Sequence, residues 1–352
     1  MKKLDFCSPF WQWGTFCGQD GGIGFANCFA AVYMHIQGVV SGSGFCGAKG
    51  GLGCNDCGNC SDGLNNLFAG IAGQWTCRQS FSGEKTEAQK INEAEFGSVG
   101  NPTDKLVDFI FGFIGYEYAI VSENFEESVA WSIDGGVPII AKVKDGYRVI
   151  IGYGQDGLSE PDYAPVVGAS SAIKYDEIER LFVFGESVSQ KYTAFDFLRV
   201  IERTMELDAA DGVWAEFLRQ FDYDGERLWE VSAAEIKRRF ERLKAVMEWV
   251  PNIGHGLQTA FRDRKILAKI GLDERFGELF DVINCQADLL HGRGYMLTAI
   301  CDCAIDLEVL DNAEWPWDKH GLITAAREII LLIMDCDLRI LEAVKKAISL
   351  SS

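Results

Sequence analysis

A cysteine that follows a glycine-rich loop and begins an apolar helical run is well placed for nucleophilic chemistry. Here the run reads Gly24-Phe25-Ala26-Asn27-Cys28-Phe29-Ala30-Ala31-Val32-Tyr33-Met34-His35. Unpaired N–H groups at a helix N-terminus carry about half a positive charge, which favours thiolate over thiol. A cysteine is also a small hydrophobe, so the same position suits a core residue. A second set is Cys46, Cys54, Cys57 and Cys60, the last three at Cys-x-x-Cys-x-x-Cys spacing among Gly47, Gly50, Gly51, Gly53 and Gly58. Glycine permits the tight turns that direct thiolates at one centre, and four thiolates can hold zinc or an iron–sulfur cluster. Zinc patterns usually separate two Cys-x-x-Cys knuckles, whereas this loop runs them together. An insertion carrying thiols with no metal is therefore the competing reading.

The elements that must position these residues divide by composition. At 352 residues the chain exceeds the usual size of one domain. Residues 1–190 are rich in Gly, Phe, Ser and Cys, with the Cys-rich insertion at 44–61. Tyr118-Ala119-Ile120-Val121 reads as a strand, as does Gly136-Val137-Pro138-Ile139-Ile140-Ala141-Lys142-Val143, with Pro138 near its start. Arg148-Val149-Ile150-Ile151-Gly152-Tyr153 reads as the next strand, joined through a hairpin turn at Asp145-Gly146. Residues 191–352 change to long amphipathic helices and are expected to form an all-α bundle. Ile236, Phe240, Leu243, Met247 and Val250 recur at helical spacing, Pro251-Asn252-Ile253-Gly254 reads as a connection, and a further helix covers about 322–348 after Pro316. Cys301-Asp302-Cys303 and Asp335-Cys336-Asp337 fall inside helical patterns as core cysteines, and Trp315-Pro316-Trp317 reads as a packed loop.

Composition also bounds function. A formal net charge of −19 argues against a phosphate-backbone partner, because nucleic-acid affinity is drawn from clustered Lys and Arg. No run of about 18 apolar residues predicts a membrane span, and Asp5 with the polar sequence after it leaves no apolar core for a signal peptide, so a cytoplasmic location is expected. Eight of the twelve cysteines lie in the first 77 residues, too uneven for a disulfide scaffold.

The order of a glycine-rich loop, Cys28 at a helix start, further helices and then a strand pair resembles the papain-like cysteine peptidase superfamily. In particular it resembles the bacteriocin-processing peptidases and the N-terminal domain of the butirosin-biosynthesis protein H family. The resemblance covers roughly residues 19 to 185 and is carried by Cys28, by Phe125-Glu126-Glu127-Ser128-Val129-Ala130 leading to Gly136-Val137-Pro138, and by Gly152-Tyr153. It implies an α+β, papain-like N-terminal domain, a nucleophilic role for Cys28 and an oxyanion-hole role for Gln19. It also implies a catalytic histidine near Gly146 or Tyr147, and there the chain reads Asp145-Gly146-Tyr147-Arg148. A guanidinium does not deprotonate, so Arg148 cannot replace an imidazole as base. His35 lies two helical turns from Cys28, about 10 Å by helix rise, which is too far for direct proton transfer. His255, His291 and His320 all lie in the helical half. Two readings remain: a catalytically impaired domain that binds a small molecule or peptide in its cleft, or a cysteine-dependent acyltransferase or peptidase using Cys28.

Overall fold

The computed structural model describes residues 2–6, 24–38, 61–75, 80–98, 100–144, 146–155, 157–161, 173–222, 230–248, 250–261, 264–306 and 316–350. The chain is α+β, with a helical C-terminal region. In order, the elements are β1 (Lys2–Lys3), α1 (Phe25–Ile36), α2 (Ser61–Ile71), α3 (Glu87–Phe96), α4 (Asp104–Ile114), β2 (Tyr116–Val121), α5 (Phe125–Asp134), β3 (Ile139–Val143), β4 (Gly146–Ile150), β5 (Gly152–Gly154), β6 (Gly157–Ser159) and β7 (Ile178–Ser187). The helices that follow are α6 (Ala194–Ala210), α7 (Val213–Gln220), α8 (Ala233–Met247), α9 (Val250–Ala260), α10 (Arg264–Lys269), α11 (Gly277–Asp306) and α12 (Pro316–Ser349).

Two compact units divide the chain. One holds Met1–Ala72, Glu95–Phe197 and Thr259–Arg275; the other holds Gly73–Ala94, Leu198–Gln258 and Phe276–Ser352. The change of composition near residue 190 thus lies close to a division at Phe197, while two shorter segments join the unit on the other side of it.

In the first unit an antiparallel sheet runs in the order β2-β7-β3-β4, and a smaller one in the order β1-β5-β6. Strand side chains alternate between faces, so register decides what each face carries. Ile139, Ala141, Val143, Ile150, Leu181 and Val183 form one buried set with Val129 and Ile133 of α5. On the opposite face α1 lies on β3, β4 and β7, where Phe25 packs on Phe182 and Phe29 on Phe184. Both faces of the sheet are therefore covered, which explains why β3 is apolar at nearly every position. Phe29 also meets Phe68 and Phe111, with ring centroids 5.5 and 4.8 Å away.

Helix ends follow local chemistry. Thr103 caps α4: its hydroxyl accepts from the Leu106 N–H and donates to the Glu95 carbonyl. Gly115 closes that helix at φ 75°, a left-handed conformation that favours glycine.

Several expected boundaries move. The strand expected from Arg148 to Tyr153 is two strands in different sheets, broken at Ile151, whose N–H bonds the Ser159 carbonyl. Pro251-Asn252-Ile253-Gly254 is no connection but the first turns of α9, where a missing proline N–H costs no helical bond. Val250 accordingly belongs to α9, while Ile236, Phe240, Leu243 and Met247 are the buried stripe of α8. Pro316 and Trp317 open α12 and do not belong to a loop. Of the cysteines expected in the helical core, Cys301 and Cys336 are buried but Cys303 is exposed.

Candidate active site

Helix α1 begins at Phe25, three residues before Cys28, because extended backbone at Gly24 ends there and its carbonyl accepts the Cys28 N–H at 3.3 Å. The thiol therefore sits one residue past the N–H groups that lack helical partners, where the dipole is already falling off. Cys28 is 0% exposed, as are Phe25, Ala26 and Phe29 around it. The sequence places Cys28 at the opening of a helix, and the structure starts that helix three residues earlier, at Phe25; the burial of the thiol comes from the sheet laid against it.

The strand pleat selects which residue of β4 faces that helix. Lys142 pairs with Tyr147 and Ile140 with Val149, and these four side chains share the face that α1 covers, whereas Arg148 pairs with Ala141 on the other. Tyr147 is 3% exposed, and its ring meets Phe25 edge-on with centroids 5.5 Å apart. Burial is the main cause of a strongly raised Tyr147 pKa, and the negative charge Cys28 takes on ionisation adds to it. A phenol so placed stays protonated at neutral pH and offers no proton acceptor comparable with imidazole. Arg180, the β7 neighbour of Lys142, acts in the opposite sense on Tyr147.

Lys142 lies over the Tyr147 ring, 4.7 Å from its centroid, and donates to Asn101 at 3.4 Å. Arg180 pairs with Asp104 at 3.2 Å. The sequence puts the expected histidine position near Gly146 or Tyr147 and gives no sign of Lys142, which the β3–β4 register, with Val143 paired to Gly146, sets opposite Tyr147.

Arg148 is only partly exposed. Its side chain lies 3.5 Å from Glu160, itself only 5% exposed, and it also donates to the Tyr147 carbonyl at 2.9 Å. That pair is on the sheet face away from Cys28.

His35 is half-buried at the far end of α1 and stacks on Phe6, with centroids 5.0 Å apart. Burial holds its pKa below the ordinary value, although Asp5 and a Gly136 backbone contact act against this. Among the described residues the other imidazoles belong to the second unit, where His255 and His291 rings lie 6.1 Å apart. Gln19 and the metal candidates Cys46, Cys54, Cys57 and Cys60 lie outside the described residues. No group of three or more potential metal ligands occurs among the described ones, and no helix among them is long and apolar enough to cross a membrane.

Comparison of the chain with protein-family models, with curated proteins and with solved structures finds no match in any of the three.

Proposed function

We propose that the first unit is a papain-like scaffold that has exchanged proton-transfer catalysis for binding, and that its cleft takes a peptide or small molecule without turning it over. The observation that carries this reading is Tyr147. The residue that faces α1 from β4 is a buried phenol with a raised pKa, near the place where the resemblance calls for a base. Nucleophilic attack by a thiol on an amide needs a partner that takes the thiol proton and returns it to the leaving amine. Neither Tyr147 below its raised pKa nor the permanently charged Arg148 does both. The order of α1, α5 and the antiparallel strands supports the scaffold part of the reading, and the full burial of Cys28 supports the loss of turnover.

The test is a fluorogenic peptide library incubated with the full chain and with Cys28→Ala, read both for hydrolysis and for thermal stabilisation of the protein. No hydrolysis is expected from either, and peptides that stabilise the native chain should stabilise Cys28→Ala equally. Hydrolysis abolished by Cys28→Ala would instead establish the cysteine-dependent enzyme. A library that stabilises neither protein would remove peptides as ligands of the cleft.

A further inference from the structure

The second unit carries an arginine-lined groove that the reading of Cys28 does not involve. Helix α8 holds Lys237, Arg238, Arg239, Arg242 and Lys244 against only Glu235 and Glu241, a local excess of positive charge in a chain of formal net charge −19. Beside it the turn around Phe81 and Ser82 and the end of α7 enclose an open groove of about 500 Å³, lined by Arg238, Arg239 and Arg242. That volume falls within the range of small-molecule sites.

The arginines are held in place before any ligand arrives. Arg239 donates to Glu235 at 2.9 Å and to the Gln220 carbonyl at 2.6 Å. Arg242 donates through Nε to the Phe81 carbonyl at 2.6 Å, while its two terminal nitrogens meet no acceptor among the described residues. Gly83 makes room for this guanidinium: it has φ 81°, and a Cβ there would come within 2.3 Å of Nη2. Phe81 is itself fixed by Phe217, with ring centroids 5.5 Å apart, so the carbonyl that orients Arg242 sits on a packed support. Glu235 is spent on Arg239 and Arg238, which lower its pKa and leave its charge neutralised in the groove. What remains is a half-buried planar fork with unused donors, the geometry that suits a carboxylate or phosphate.

We propose that this groove binds a small molecule bearing an oxyanion, a phosphate ester or a carboxylate, gripped by the terminal nitrogens of Arg242. The site lies wholly within the second unit and stands whether or not Cys28 is catalytic.

Calorimetric titration of the full chain at constant ionic strength tests it, with inorganic phosphate, glycerol phosphate and citrate as separate probes and chloride as control. At least one oxyanion should bind, and Arg242→Lys, which keeps the charge but removes the fork, should weaken it at least about tenfold, the scale of losing one charge-assisted hydrogen bond. The three arms separate free phosphate from an ester and phosphate from carboxylate. Glu241→Lys, an exposed substitution at the rim, should tighten binding severalfold and keeps the test decisive if Arg242→Lys does not fold. Heats no larger than those of chloride for all three probes, or an affinity unchanged by both substitutions, would overturn the assignment.

Discussion

The chemistry of single residues is set here by what covers them. Cys28, Cys301 and Cys336 are buried and Cys285 and Cys303 exposed, and burial pushes Cys301 up to about 12 and Cys336 up to about 11. Alkylation requires both access and thiolate. Iodoacetamide on the native chain should therefore modify Cys285 and Cys303 and spare the other three until denaturant is added, as read by peptide mass spectrometry. Rapid native labelling of Cys28 would mean that the thiol is open to solvent. Tyrosines give a second expectation. Burial, with a smaller effect from Tyr116, pushes Tyr33 up to about 12 from 10.0. The folded chain thus holds its proton more tightly than the unfolded chain, so this contribution to stability is complete below pH 10 and is lost as pH rises to 12. A two-unit shift corresponds to about 3 kcal/mol. Denaturant midpoints measured across pH 9 to 12 should fall over that window, and Tyr33→Phe should flatten the fall.

At the scale of elements, α1 is committed to the sheet through aromatic rings. Phe29 is 0% exposed and touches Phe25, Phe68, Phe111 and Phe184. Phe29→Ala should destabilise the chain by about 3–5 kcal/mol, because a cavity among four rings cannot close. Loss of less than about 1 kcal/mol in urea unfolding would show that α1 and the sheet are not packed as described. The α4 cap is a milder case. Thr103→Ala removes both the hydroxyl's bond from Leu106 and its bond to Glu95, and should cost about 1–2 kcal/mol. Thr103→Ser retains both bonds and should recover most of that loss in the same measurement.

For the whole molecule, the chain does not divide at one point. Thr259–Arg275 belongs to the first unit although it follows most of the second in sequence. Its Thr259 hydroxyl accepts from Asn66 at 2.5 Å, and its Ile270 carbonyl accepts from Gln190 at 3.1 Å. A fragment ending at residue 197 loses both partners and the apolar surface of Leu267, Ile270 and Leu272, all buried. Such a fragment should show a broad, weakly cooperative thermal transition where the full chain shows a sharp one. A sharp transition at the full chain's temperature would mean that 259–275 contributes nothing to the first unit.

What the sequence determined by itself was local. Helical spacing in Ile236, Phe240, Leu243 and Met247 names the buried stripe of α8, because that signal lies within a few residues; the turn expected at Asp145-Gly146 gives a hairpin but not its register, since Gly146 is already in β4, paired with Val143. Cys28 near a helix start was legible for the same reason, as was the absence of histidine from the expected position. The helix start at Phe25 was not, since its cap is Gly24, which has no side chain to mark it, while Asn27 is of a capping type and precedes Cys28. Only the tertiary structure decided that the β4 pleat turns Tyr147 toward α1 and Arg148 away from it, that Arg148 finds Glu160, and that Phe81 and Arg242, 161 residues apart, share one groove. Pairing register and long-range packing are global properties of the chain, and a one-residue slip, invisible in composition or periodicity, would have exchanged the two faces.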